Sequence, residues 1–114
     1  MNWNMLSSLE QIEIIRQASL HKPQVIFKHS TRCSISAMAK NRLEKSTPPE
    51  GIDFHYLDLI QYRPVSNAVA DTFGVEHESP QILLIRNESI VYTASHMGIS
   101  MPELEAAINS VHNN

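Results

Sequence analysis

"QVIFKHSTRCSISAMAKNRLEK", residues 24–45, decides the fold, because two periodicities meet inside it. Gln24 to His29 is a short run of β-branched and aromatic side chains, the pattern of a strand buried on both faces. From Ser34 the spacing changes. Ile35, Met38, Ala39 and Leu43 fall at helical intervals, and "STPPEG" (46–51) stops the helix. Cys33, the one cysteine of the chain, stands at the junction.

Outward from this unit the pattern repeats. "IDFHYLDLI" (52–60) reads as a second strand. Pro64 suits the first turn of the following helix, which turns Val65, Ala68, Val69 and Phe73 inward and ends at Gly74. "QILLIR" and "IVYTAS" flank Asn87-Glu88, a hairpin in which Asn87 can take a positive φ. Ser7 with Glu10 forms a capping box for a first helix carrying Leu9, Ile12 and Ile15 on one face. Ser100 with Glu103 forms another for a last helix through Leu104, Ala107, Ile108 and Val111. No repeat, low-complexity stretch or linker interrupts residues 1–114, so a single domain is expected. The order α-β-α-β-α-β-β-α gives an α/β fold: a four-stranded mixed sheet with helices on both faces and an extra N-terminal helix. It is similar to the thioredoxin-like order, although other small α/β topologies share the same string.

The chain of 114 residues is 42% hydrophobic, enough for one core. A charged fraction of 18% and a net charge of -3 leave no basic excess of the kind nucleic acid or an anionic membrane would select. No stretch reaches membrane-spanning length, and "MNWNMLSSLEQIEIIRQ" carries Glu10, Glu13 and Arg16 where a signal peptide would be uncharged. A cytosolic location is expected. One cysteine cannot close an internal disulfide, so the thiol is expected to rest reduced.

Thiol chemistry needs the thiolate, and the start of a helix favours it through unpaired N–H groups and the macrodipole. Ser36 can donate its hydroxyl to the same sulfur. Residues 28–45 also hold Lys28, Arg32, Lys40, Arg42 and Lys45 against Glu44 alone, a field suited to lowering the thiol pKa and attracting an anionic partner. A free cysteine can equally serve as core packing. The polar neighbours on both sides, "STR" and "SIS", favour an exposed, reactive thiol. His29, His77 and His96 have no metal-site spacing, and no metal is expected. His77 or His96 can instead tune Cys33 or meet a ligand carboxylate.

Together, "HSTRCSIS", "RPVSNAVADTFGVEHESPQ" and "ASHMGIS" resemble the YtxJ-like monothiol bacilliredoxin family, across about Val25 to Ser100. The resemblance implies a thioredoxin-like fold and removal of bacillithiol, a glucosamine-malate-cysteine thiol, from mixed disulfides on cytosolic proteins. It makes Cys33 the nucleophile and puts Ser36 where dithiol relatives keep a resolving cysteine. It implies that Pro80 is cis and faces Cys33, with Ser79 pairing to the backbone of a bound thiol or peptide. Arg32, Ser34, His77 and His96 complete the expected substrate-binding set. The family usually has proline after the cysteine; Ser34 stands there instead and leaves an N–H free to face the sulfur. No tightly bound cofactor is expected, bacillithiol being a co-substrate, and the partners are bacillithiolated proteins met by a monomer or weak dimer. Two other readings stay open. One is a monothiol glutaredoxin-like protein using glutathione or holding an iron–sulfur cluster, although the Cys-Gly-Phe-Ser pattern is absent. The other is a non-enzymatic thioredoxin-fold stress adaptor, in which Cys33→Ser would change nothing.

Overall fold

The computed structural model describes residues 1–112, with side chains to residue 110. Among these residues five strands and four helices follow one another: β1 (Trp3–Met5), α1 (Leu9–Ala18), β2 (Gln24–His29), α2 (Ser34–Lys45), β3 (Asp53–Asp58), α3 (Arg63–Phe73), β4 (Gln81–Arg86), β5 (Ser89–Ser95) and α4 (Met101–His112), with a short 3-10 turn at His96–Gly98 before α4. The strands form one sheet in the order β1-β3-β2-β4-β5. β1, β3 and β2 run parallel, whereas β4 is antiparallel to both β2 and β5. The expected mixed α/β sheet is present with one strand more than the four read from sequence. β1 is too short and too poor in β-branched residues to announce itself, and its pairing with Phe54–Tyr56 defines it.

Each face of the sheet is covered by a helix pair, and alternate strand residues serve the two cores. Val25, Phe27, Ile82 and Leu84 pack with Ala39 and Leu43 of α2 and Leu104 and Ile108 of α4. Ile26, Leu83 and Ile85 pack with Ile12 and Ile15 of α1 and Val65 and Val69 of α3. Burial on both faces explains why β2 reads as a continuous apolar run. At about 25 cal/mol per Å² of apolar surface, these two layers dominate the stabilisation.

The local signals act as their chemistry dictates. Gly74 ends α3 in the left-handed region at φ 62. Asn87 and Glu88 both have positive φ, 54 and 67, as a two-residue hairpin turn requires. Three expectations shift. The cap of α1 is Ser8 with Gln11, not Ser7 with Glu10. The Gln11 amide accepts from the N–H groups of Ser7 and Ser8 and donates to Met5 O, and a glutamate carboxylate could not make that last bond. Leu9 is exposed, as are Ile35 and Met38. The buried face of α2 is instead Ser36, Ala39 and Leu43. Ser100 Oγ does accept from Glu103 N–H at 3.4 Å, while the Val111 side chain lies outside the described residues.

Candidate functional site

The C-terminal end of β2 and the N-terminal end of β4 lie together, since Lys28 pairs with Gln81. Cys33, just past β2, and Ser79–Pro80, just before β4, therefore occupy the same end of the sheet. Cys33 is the N-cap of α2, one residue ahead of its first turn, with extended φ and ψ of -111 and 123. Its N–H donates to Ser30 O at 3.1 Å, and its carbonyl accepts the first helical bond from Ala37 at 3.1 Å. Cys33 is half-exposed and its thiol is free.

The thiol sits below its ordinary pKa, chiefly because the Ser36 N–H faces the sulfur; burial opposes this, and the Ile35 N–H and the Ser36 hydroxyl add to the lowering. The sulfur makes no conventional capping bond, so these groups act as dipoles aimed at the anion. Ser36 is fully buried, and its Oγ also accepts from Ser30 N–H at 3.4 Å. One hydroxyl thereby links the loop before the helix to the sulfur above it.

The expected basic field acts differently. Lys40 is paired with Glu44 at 2.9 Å and lies 5.7 Å from the centre of the Tyr56 ring. Lys28 is entirely buried beneath the sheet surface. Backbone and hydroxyl dipoles, not cationic side chains, are what lower the Cys33 pKa. Arg32 and Ser34 are exposed on either side of the thiol.

The peptide joining Ser79 to Pro80 is cis. Pro80 is buried, and Ser79 Oγ is buried without a partner among the described residues. Pro80 O accepts from the N–H of His96 at 3.0 Å, and His96 holds a positive φ of 54. The "ASHMGIS" and "HESPQ" stretches are thus tied through the backbone. His77 turns elsewhere: its Nδ1 lies 3.2 Å from Lys28 Nζ and 3.4 Å from Ser66 Oγ. His29 is buried, with Nδ1 bonded to the Tyr56 hydroxyl at 2.8 Å and Nε2 without a partner among the described residues. Desolvation pulls its pKa down, so it stays neutral at neutral pH. Among the described residues no three His, Cys, Asp or Glu side chains group as metal ligands.

Two participants were missed by sequence reading. Lys28 was counted in the basic field around Cys33, and Tyr56 was only a strand residue. Lys28 had one available signal, its place in a strand whose every other position is buried.

Comparison with known proteins agrees with this geometry. A family model described as monothiol bacilliredoxin BrxC matches residues 4–104. A solved structure described as a candidate oxidoreductase with a thioredoxin fold is 33% identical, covers 90% of each chain and superposes with a TM-score of 0.79. Thioredoxin from Malassezia sympodialis is 21% identical over 96% of this chain and 90% of its own, with a TM-score of 0.73. Thioredoxin from Trypanosoma brucei brucei is 13% identical over 99% and 93%, with a TM-score of 0.75. At such identities the two thioredoxins speak for the fold alone, and the fold is thioredoxin-like.

Proposed function

The chain belongs to the monothiol bacilliredoxin family, and from this we propose that it is a cytosolic thiol–disulfide oxidoreductase removing bacillithiol from protein mixed disulfides. The observation that carries the reading is the placement of the lone thiol: half-exposed, at a helix N-cap, under the N–H groups of Ile35 and Ser36.

The Cys33 thiolate attacks the bacillithiol sulfur of the mixed disulfide. A bond forms between those two sulfurs, the original S–S bond breaks, and its electron pair leaves on the protein sulfur, which takes a proton from water. Cys33 then carries bacillithiol. Ser36 stands where a resolving cysteine would be, and a hydroxyl cannot be oxidised to a disulfide. A second bacillithiol thiolate must attack the bacillithiol sulfur on Cys33, returning the Cys33 thiolate and releasing bacillithiol disulfide for a separate reductase. The chemistry needs no resident cofactor. Arg32 and the N–H of Ser34 flank the sulfur and suit the carboxylates of the malate moiety. The Ser79–Pro80 segment offers the backbone edge for the substrate, and His96, bonded to Pro80 O, sits beside it.

Offering the purified protein one model substrate capped with bacillithiol or with glutathione, and weighing the adduct on Cys33, tests the reading. Bacillithiol is expected to transfer faster, and Cys33→Ser to abolish transfer. Preferential glutathione transfer would favour the glutaredoxin-like alternative, and a Cys33→Ser variant that keeps its cellular function would favour the adaptor.

A further inference from the structure

Lys28 is a fully buried cation, and among the described residues no carboxylate pairs with it. Its Nζ donates to Ser66 O of α3 at 3.3 Å and meets His77 Nδ1 at 3.2 Å. An ammonium can only donate, so His77 Nδ1 accepts, and the ring proton must sit on Nε2. Ser66 Oγ, 3.4 Å from the same nitrogen, has the same role open to it. Three elements therefore meet at one ammonium: β2, α3 and the segment 75–80 that leads into Pro80.

That segment has a second brace beside the first. The Gln81 amide donates to Glu76 O at 2.9 Å and accepts from Glu78 N–H at 3.3 Å. Gln81 is the register partner of Lys28, so both braces rise from one rung of the sheet. An apolar side chain at position 28 would avoid the cost of burying a charge, but it would leave Ser66 O and His77 without their shared donor.

We propose, building on the exchange reading above, that Lys28 is a positioning residue of the exchange site: its buried ammonium fixes His77 as the Nε2–H tautomer and so anchors the segment that presents Ser79–Pro80 to the substrate. The Cys33 sulfur is outside this network, and its reactivity is independent of it.

Long-range nitrogen–proton NMR of the wild-type protein at neutral pH reports the His77 tautomer directly, without substrate. Nε2–H is expected, and an Nδ1–H or doubly protonated ring would overturn the proposal. In Lys28→Met, amide exchange through residues 75–79 is expected to rise about tenfold, as for a lost charge-assisted bond. KM for the capped substrate is expected to rise by a similar factor with kcat within about twofold. Iodoacetamide labelling of Cys33 should be unchanged. His77→Ala, at an exposed position, should reproduce these effects, and the double variant should add nothing further. Unchanged loop exchange in both single variants, additive effects, or a fall in Cys33 labelling would each overturn it. Because the tautomer and the exchange rates need no turnover, they decide this proposal even if no capped substrate reacts.

Discussion

At the scale of single residues, the site rests on what Ser36 does from a buried position. Its N–H and hydroxyl both favour the Cys33 thiolate, and the N–H comes with any residue at that position whereas the hydroxyl does not. Ser36→Ala should therefore remove only part of the effect. The labelling of Cys33 against pH should show a midpoint below that of a free thiol near 8.5 in the wild type. In Ser36→Ala the midpoint should move upward, and labelling at neutral pH should slow several-fold. A midpoint unmoved by the substitution would assign the whole effect to the backbone. A wild-type midpoint at or above the free value would remove the activation argument for Cys33. Very strong depression is not the optimum either, because nucleophilicity falls with basicity and the best attacking thiol titrates near ambient pH.

At the scale of elements, β1 shows how a strand can be specified by its partners. Trp3 stacks on Phe27 with ring centres 5.7 Å apart, meets Phe54 and Tyr56 edge-on, and donates from Nε1 to Glu44 Oε2 at 3.1 Å. One side chain joins β1 to β2, β3 and α2. Trp3→Ala is expected to destabilise the fold by about 2 kcal/mol, less than a fully buried tryptophan because Trp3 is only half-buried. Urea unfolding followed by circular dichroism measures this, and a loss below about 0.5 kcal/mol would show that β1 is ornamental to the sheet. Local chemistry made much of the rest legible: β2, the stop at Gly74 and the turn at Asn87 each follow from residues adjacent in sequence. β1 was not legible because its identity comes from Phe54–Tyr56, far along the chain. The inward face of α2 was misassigned for a related reason. Hydrophobicity points to Ile35 and Met38, but the Ser36 hydroxyl is required inside by Cys33 and Ser30. At the site, the thiol and the proline-led strand were readable from sequence, whereas the cationic brace was not. Lys28 meets His77 across a separation of 49 residues, and no local rule puts a lysine in a core.

At the scale of the whole molecule, that buried lysine couples the site to folding stability. Burial lowers its pKa from 10.5 to about 8. Between those values the unfolded chain holds the proton and the folded protein does not, so raising the pH through that window favours the fold. The shift corresponds to about 3 kcal/mol. Other groups titrate nearby: the Tyr56 and Tyr92 hydroxyls are raised by burial and act in the opposite sense near pH 10, and Cys33 is lowered. Comparison with Lys28→Met cancels these; His77, held below its ordinary value by burial and then by Lys28, is coupled to the lysine but titrates below this window. Relative to that variant, the wild type should gain about 3 kcal/mol of stability between pH 7 and pH 11, read from urea midpoints at matched ionic strength. A constant difference would mean that the ammonium is solvated and that nothing holds it dry. At neutral pH the methionine variant should unfold no more easily than the wild type, since the lost hydrogen bonds are offset by removal of the buried charge. The same substitution that weakens substrate binding thus leaves the fold intact, as expected where a buried cation is kept for the geometry it imposes and at some expense to stability.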